Sequence, residues 1–265
     1  MNGDRPRLYH APSSYYSMIA RLALTEGGIG YDRIFVDIHW RMGQQRPDYV
    51  RLNPNMTVPT LVLPARVLDE SRAIAEFALG TEEGALNAET RRWLDLHYSY
   101  PIEELTFGEI LNRRPLARIM IPRRLAAIQR RLLKLAAANP DLAALYEARA
   151  AVFAERVRLF DPEKIRSLWV RRRAEALGFL DQLAGNLADG RGFLVPPHYG
   201  AADVVWTVFL ARIEFALLGG EIANRPALAR YWRALRARPS FAAADIWTEF
   251  HRRRWIAGLL GLIRN

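Results

Sequence analysis

Two short stretches place hydroxyl and carboxyl side chains at the start of predicted helices. The first is PSSYYSM, residues 12–18, and the second is DES, residues 69–71. A hydroxyl at a helix N-terminus can stabilise an anion, because unpaired backbone N–H groups and the helix dipole favour negative charge there. An acidic side chain beside it can pair with an amine. Both stretches also have the composition of ordinary helix caps, so the residues alone leave capping and ligand binding open.

The elements that must position these side chains alternate in type over the first 80 residues. The predicted order is strand Arg7–His10, helix Tyr15–Glu26, strand Ile34–Ile38, helix Gln44–Leu52, strands Thr60–Leu63 and Val67–Leu68, and helix Ser71–Leu79. Gly27-Gly28 ends the first helix and Asn53-Pro54 ends the second. This order predicts a parallel strand pair with a crossover helix, followed by a hairpin and a helix.

Beyond Gly80 the apolar spacing predicts helices throughout. They are Ala88–Asn112, Arg123–Ala137, Pro140–Phe160, Pro162–Leu187, Ala201–Leu218, Pro226–Arg236 and Phe241–Ile263. Several start at or near a proline, which is tolerated in the first helical turn. The sequence therefore predicts an α/β domain over residues 1–80 and an all-α domain over residues 88–265.

Composition excludes several classes of site. The 265 residues include no cysteine, which excludes disulfides, thiolate metal sites and a catalytic cysteine. The five histidines show no i,i+4 pair, so no metal site is expected. The N-terminus lacks the apolar core of a secretory signal, and no stretch reaches the roughly 18–20 apolar residues of a membrane helix. A cytoplasmic protein is expected.

The net charge of +10 is concentrated in the second part of the chain. Between Asn112 and Asn139 there are eight basic residues and no acidic one. This run indicates either a solvated helix face or an anionic partner such as lipid head groups. Nucleic acid is not expected, because no recognition motif or aromatic-basic stacking platform is visible.

Longer stretches resemble the cytosolic glutathione transferase superfamily. RLYHAPSSYYSMIARLALTEGGIGYDRIFVDI resembles its first strand, thiol-site loop, first helix and second strand. YVRLNPNMTVPTLV is similar to its LNP-x-x-x-VP-x-L segment, and LDESRAIAEF to its E-S-x-A-I helix start. FLVPPHYGAADVVWTVFLARIEF is similar to the F-L-x-x-x-x-Y-S-x-A-D segment of its helical domain. Within the superfamily, DYVRLN, WTVFLARIE and YWRALRARPSF are nearest to the tetrachlorohydroquinone reductive dehalogenase-like group.

The resemblance implies a thioredoxin-like N-terminal domain, an all-α C-terminal domain and glutathione as co-substrate. It implies a cis Val58–Pro59 bond, at which the Val58 backbone pairs with the tripeptide like an added strand. Glu70 would then bind the amine of the γ-glutamyl end, and Ser71 its carboxylate. The remaining implied glutathione contacts are Thr57 and Asn55 at the same turn, and Arg41 or Gln45 at the glycine carboxylate.

Three hydroxyl groups are candidates for activating the glutathione thiol. Ser14 aligns with the catalytic serine of theta- and zeta-like transferases and is the first choice. Tyr16 stands where the dehalogenase-like group has a cysteine, and Ser17 lies one turn into the helix. Because the chain has no cysteine, thiol-disulfide reductive dehalogenation by that group's route is not expected.

Four aromatic side chains are predicted on one face of the first long helix: Trp93, His97, Tyr100 and Phe107. They would line an apolar acceptor pocket or fill a buried seam between helices. Asp203 is predicted as a structural cap. Its usual serine partner is replaced by Gly200, so half of the capping box is missing, at a cost of about 1 kcal/mol.

The sequence thus predicts a glutathione transferase that activates the thiol for conjugation to, or displacement on, an electrophilic apolar or aromatic substrate. The alternative is a non-enzymatic adaptor or membrane-surface protein, supported by the basic run and by the tail FHRRRWIAGLLGLIRN, residues 250–265. The tail would form a lid over the acceptor pocket or an interfacial helix on anionic lipid. A homodimer is expected from the resemblance.

Overall fold

The computed structural model describes residues 5–80 and 86–250, which form two compact units. The first unit contains the described residues up to Gly43, those within Thr57–Tyr100, and those from Phe179 onward. The second contains Gln44–Met56 and Pro101–Gly178. Each unit combines segments that are distant in sequence. The division into residues 1–80 and 88–265 follows chain order instead, and it stays a prediction.

A four-stranded sheet forms the framework of the first unit. Its strands are β1 Arg7–His10, β2 Asp32–Phe35, β3 Thr60–Val62 and β4 Val67–Leu68, in the order β2-β1-β3-β4. β1 runs parallel to β2 with Leu8 opposite Arg33, and antiparallel to β3 with Leu8 opposite Leu61. β3 and β4 form the predicted hairpin. The mixed sheet and its connecting helices confirm the predicted thioredoxin-like arrangement.

Helices α1 Tyr15–Glu26 and α3 Ser71–Leu79 pack together in this unit. Their buried apolar residues meet those of β1 and β3 in one cluster that includes Leu8, Ala20, Leu24, Leu61 and Ile74. Gly27 ends α1 where the backbone of α3 approaches closely. A Cβ atom at Gly27 would lie 2.3 Å from the Ala78 carbonyl oxygen, so no larger residue fits there without movement.

The remaining helices of the first unit include one that is buried. They are α4 Ala88–Tyr98, α9 Ala201–Phe215, α10 Gly219–Ala223, α11 Pro226–Ala237 and α12 Pro239–Ala243. α9 is buried on every side from Ala201 to Ile213, and it contacts α1 and α4. Helix α8, Pro162–Asn186, begins in the second unit and ends in the first.

The second unit is built around a helical hairpin of α6 Pro115–Ala138 and α7 Ala143–Leu159. A short 3₁₀ turn, Pro140–Leu142, joins the two helices. The other elements are α2 Pro47–Leu52, α5 Ile102–Arg113, the first part of α8 and most of a 3₁₀ turn at Gly43–Gln45, whose first residue belongs to the first unit. Buried side chains from α2, α5, α6, α7 and α8 form its core, including Val50, Leu111, Leu132, Tyr146 and Ile165.

Several predicted boundaries are wrong, and each has a local cause. The helix predicted over 88–112 is broken between Tyr98 and Ile102, because Pro101 disfavours helical geometry in the residue before it. The strand predicted to reach Ile38 ends at Phe35. Beyond it, the Asp37 carboxylate accepts hydrogen bonds from the N–H groups of residues 39, 40 and 41 and turns the chain.

One predicted helix start and one predicted helix end also differ from the structure. The helix predicted from Arg123 begins at Pro115 and tolerates Pro122 in its interior. The helix predicted over 241–263 does not continue through residues 244–250, because α12 ends at Ala243 and Asp245 has a φ of 54°. Residues 251–265, the greater part of the basic and apolar tail, lie outside the described residues. Within the described ranges, every helix is too short or too polar to cross a bilayer.

Candidate functional site

Ser14 is the N-cap of α1. Its backbone is extended (φ −73°, ψ 125°), and its Oγ accepts a hydrogen bond of 3.3 Å from the Ser17 N–H. The side chain is half-buried, so it faces both the helix end and the surface. Because the oxygen accepts within the cap, the hydroxyl proton can be donated to a group beyond the helix N-terminus. Capping and donation to an anion are therefore compatible at Ser14.

The neighbouring hydroxyl groups have other partners. Ser17 is fully buried, and its Oγ accepts a hydrogen bond of 3.3 Å from the Ala11 N–H. Ser13 Oγ lies 2.8 Å from Nε2 of His39. The ring of Tyr16 is half-buried and stacks on that of Tyr98, with centroids 6.5 Å apart and planes at 11°. Ser17 therefore faces the protein interior, whereas Ser14 and Tyr16 reach the surface.

Tyr15 and His97 form a buried pair between α1 and α4. The Tyr15 hydroxyl lies 2.7 Å from Nε2 of His97, and their rings stack with centroids 5.8 Å apart. Burial lowers the pKa of His97 to about 3 and raises that of Tyr15 well above its ordinary value. Both groups are therefore neutral at physiological pH, and the pair fixes the start of α1.

The start of α3 carries the second polar group. Glu70 is the N-cap, is exposed, and forms no capping hydrogen bond through its side chain. Partial burial, together with repulsion from Asp69, raises the pKa of Glu70. Ser71 is buried, and its Oγ lies 3.0 Å from the Tyr98 hydroxyl. A carboxylate that does not cap its own helix is suited to an external cation.

The turn before β3 has the predicted backbone geometry. The Val58–Pro59 peptide bond is cis, as the resemblance predicts. Val58 is buried and Thr57 half-buried. Arg41 is exposed, and its own N–H donates to Asp37.

Gln45 and Asn55, by contrast, belong to the second unit. Gln45 accepts hydrogen bonds there from Arg131 and Tyr146, and Asn55 donates its N–H to the Asn53 side chain. Gln45 is thus engaged in the packing of that unit.

The aromatic residues predicted to line an acceptor pocket are mostly buried. Trp93, His97 and Tyr100 are 1%, 4% and 5% exposed. They pack around α9, where Trp206 donates to the Trp93 carbonyl and contacts His97. Phe107 follows the break at Pro101 and packs on Phe160 in the second unit. The geometry therefore favours a buried seam for the first three, and the single face predicted for all four is wrong.

Asp203 occupies the predicted cap of α9. Its carboxylate accepts hydrogen bonds from the N–H groups of Gly200 and Leu194 and from the Tyr231 hydroxyl, at 3.0, 2.9 and 2.6 Å. Gly200 has no side chain to return the bond, so only one half of the capping box exists. Burial raises the pKa of Asp203, although these hydrogen bonds act in the opposite direction.

Two residues near the site were not anticipated from the sequence. Tyr98 contacts both Ser71 and Tyr16, across sequence separations that no local pattern reveals. Arg21 is fully buried in α1 and donates to the carbonyls of Ala11 and Pro12, directly before the Ser13-Ser14 pair. The i,i+4 spacing of Ser17 and Arg21 on a helix with apolar neighbours was the available signal for a buried arginine.

The sequence and the fold both resemble those of known proteins. The sequence profile of the glutathione S-transferase N-terminal domain matches residues 13–79. The tetrachloro-p-hydroquinone reductive dehalogenase of Sphingobium chlorophenolicum is 31% identical over 246 residues, 90% of this chain and 95% of that protein. FtsZ-localized protein A of Caulobacter vibrioides is 29% identical over 248 residues, 86% of this chain and 92% of that protein.

The chain belongs to the glutathione S-transferase superfamily and lies near its tetrachlorohydroquinone dehalogenase group. Among solved structures, the β-etherase LigF from Sphingobium sp. strain SYK-6 superposes with a TM-score of 0.66. It is 19% identical in sequence and matches 91% of this chain and 98% of its own, a likeness that supports the fold.

Proposed function

We propose that this protein binds glutathione across the starts of α1 and α3 and activates its thiol for attack on an electrophilic, apolar or aromatic acceptor. The observation that carries the proposal is Ser14. It caps α1 through its oxygen while its hydroxyl proton can be donated outward. The match to the glutathione S-transferase N-terminal domain and the similarity to a reductive dehalogenase support glutathione chemistry. Ser14 is the proposed thiol donor, and Tyr16 is the alternative.

The remaining contacts are proposed from the resemblance, and the cis Val58–Pro59 bond in the first unit supports them. Ser71 and the start of α3 bind the γ-glutamyl carboxylate, and Glu70 binds the amine. Thr57, Val58 and the cis Pro59 present a backbone edge to the cysteinyl residue, and Arg41 binds the glycine carboxylate. Ser17 is not proposed as a thiol donor, because its hydroxyl is buried and accepts a hydrogen bond from the Ala11 N–H. A homodimer and a cytoplasmic location are proposed from the resemblance.

The groups at the start of α1 can supply the free energy that thiol activation requires. A cysteine-like thiol has a pKa of about 8.5, and lowering it by two units requires about 2.7 kcal/mol of preferential thiolate stabilisation. A hydrogen bond to a charged sulfur contributes roughly 1.5–3 kcal/mol. The N-terminus of α1 contributes about 0.3–1 kcal/mol more. One hydroxyl and one helix end therefore suffice, and no general base is required.

The Ser14→Ala variant tests this assignment. We expect the pKa of bound glutathione, read from the pH dependence of thiolate absorbance, to rise toward about 8.5. The conjugation rate with an aromatic electrophile should fall roughly tenfold or more at neutral pH. Tyr16→Phe is the matched variant and should leave the thiol pKa unchanged. The reverse result would assign the role to Tyr16, and no shift in either variant would contradict thiol activation at this helix start.

A second candidate function is attachment to an anionic membrane surface, and α6 favours it. Leu116, Ile119 and Met120 are 66%, 51% and 59% exposed on the first turns of this helix. The same helix continues with exposed basic side chains, including Arg123, Arg130 and Lys134. Apolar side chains followed by cations fit the acyl and head-group levels of a bilayer.

Liposome co-sedimentation tests the second candidate. Replacing Leu116, Ile119 and Met120 together by serine should abolish binding to vesicles rich in phosphatidylserine. Val170→Ser, which changes a similarly exposed apolar residue on α8 (57% exposed), is the control and should bind as the parent protein does. Equal partitioning of all three proteins, or equal binding to zwitterionic vesicles, would contradict attachment through α6.

A further inference from the structure

Tyr98 is the last residue of α4, and it contacts the starts of two other helices. Its hydroxyl lies 3.0 Å from Ser71 Oγ at the start of α3, and its ring stacks on Tyr16 at the start of α1. The preceding residue, His97, bonds to Tyr15 on α1. All these residues belong to the first unit. The end of α4 therefore braces both helix starts that carry the proposed glutathione contacts.

The chemistry of Tyr98 and Ser71 indicates which of their two hydroxyl groups donates the hydrogen bond. Burial raises the pKa of Tyr98 far above that of an exposed tyrosine, so the phenol keeps its proton. Ser71 must give its own proton to the ligand if its hydroxyl is to bind a carboxylate, because a carboxylate only accepts. Both requirements are met when the Tyr98 O–H donates to Ser71 Oγ. Ser71 is then an acceptor on one side and a donor on the other.

We propose that Tyr98 is a positioning residue of the glutathione site, which orients the Ser71 hydroxyl toward the γ-glutamyl carboxylate. This inference rests on the proposed function. Tyr98 touches no part of the ligand itself and acts through Ser71. Its ring also holds the side chain of Tyr16 against α4. The Arg72 guanidinium also lies over the Tyr98 ring, with its central carbon 5.9 Å from the ring centroid.

Substitution distinguishes the contribution of the Tyr98 ring from that of its hydroxyl. Tyr98→Phe removes the bond to Ser71 and keeps the stack on Tyr16. A neutral hydrogen bond of this kind predicts that the Kd for glutathione rises roughly two- to tenfold. The thiol pKa of bound glutathione should not change, because Ser14 and the α1 dipole are untouched. KM for glutathione should rise while kcat at saturation stays constant.

A double-mutant cycle shows whether Tyr98 acts through Ser71. Ser71→Ala alone should raise the Kd roughly tenfold or more, because it removes a hydrogen bond to a charged group. Adding Tyr98→Phe to Ser71→Ala should then have no further effect, since the atom that Tyr98 orients is gone. Tyr146→Phe, which removes the bond to the Gln45 carbonyl in the second unit, is the control and should leave the Kd unchanged. Thermal melts of every variant establish that each is folded.

The outcomes separate this inference from the function on which it rests. A rise in Kd for Ser71→Ala, with no change for Tyr98→Phe, overturns the positioning role and leaves the proposed site intact. Full additivity of the two substitutions also overturns it. An unchanged Kd for Ser71→Ala in a folded protein overturns the γ-glutamyl site, and the role of Tyr98 falls with it. Loss of affinity in both single variants without additivity supports the inference.

Discussion

At the scale of single residues, Arg21 decides the shape of the loop that presents Ser14. Its Nε donates to the Ala244 carbonyl at 2.7 Å, and its terminal nitrogens donate to the carbonyls of Ala11, Pro12 and Asp245. A buried charge is tolerated only when its donors are satisfied, and these carbonyls satisfy them. Nearby His10 is neutral, because burial and repulsion from Arg21 lower its pKa to about 3.

Arg21→Met tests this role. Removing the guanidinium leaves several buried carbonyls without a donor, so we expect the free energy of unfolding to fall by about 3 kcal/mol or more. Urea denaturation measures the change. Arg7→Met is the control, because Arg7 is exposed and its replacement should alter stability by less than about 0.5 kcal/mol. Similar costs at the two positions would show that Arg21 is not a structural anchor.

At the scale of elements, the last turn of α1 is clamped to Arg238, which lies between α11 and α12, and to Ser240 on α12. The Glu26 carboxylate accepts two hydrogen bonds of 2.7 Å from Arg238 and one from Ser240. Burial alone would raise the pKa of Glu26, but the hydrogen bonds from Arg238 and Ser240 outweigh burial and lower the pKa below 4.5. The clamp holds the end of α1 while Arg21 holds its middle.

This lowered pKa predicts how stability depends on pH. The carboxylate stays ionised in the folded protein when it is already protonated in the unfolded chain, so its contribution is complete above pH 4.5 and is lost as the pH falls through the folded-state value. Unfolding experiments from neutral pH to about pH 3 should show the stability difference between the parent and Glu26→Gln shrinking on acidification. Glu147→Gln, at an exposed position of α7, is the control for the loss of a carboxylate and should alter stability at neutral pH by less than about 0.5 kcal/mol. A difference independent of pH would contradict an ionised clamp.

The sequence predicts elements well where the signals are local. α1 and α3 begin and end where their caps and glycines predict, and the parallel pair β1–β2 and the hairpin β3–β4 are the pairings that the order of elements predicts. Prediction fails at two prolines. Pro101 interrupts the helix that the apolar spacing predicts over 88–112, whereas Pro122 is accommodated inside α6. The contact between Tyr98 and Ser71 spans 27 positions and depends on tertiary packing, so no pattern in the chain predicts it.

At the scale of the whole molecule, the two candidate functions use different parts of the chain. The proposed glutathione contacts lie in the first unit, whereas Leu116, Ile119 and Met120 lie in the second. If α6 contributes only to membrane attachment, the variant with serine at positions 116, 119 and 120 should bind glutathione with the Kd of the parent protein. Calorimetry on that variant measures this directly. A large loss of affinity in a folded variant would mean that α6 contributes to the ligand site.

The most direct test is calorimetric titration of the full chain with glutathione, beside the dipeptide Cys-Gly, which lacks the γ-glutamyl group. We predict saturable binding of one glutathione per chain and at least roughly tenfold weaker binding of the dipeptide, because the latter cannot engage Glu70 and Ser71. No saturable binding of glutathione by the folded chain, or equal affinity for the two peptides, would contradict a tripeptide site across the starts of α1 and α3.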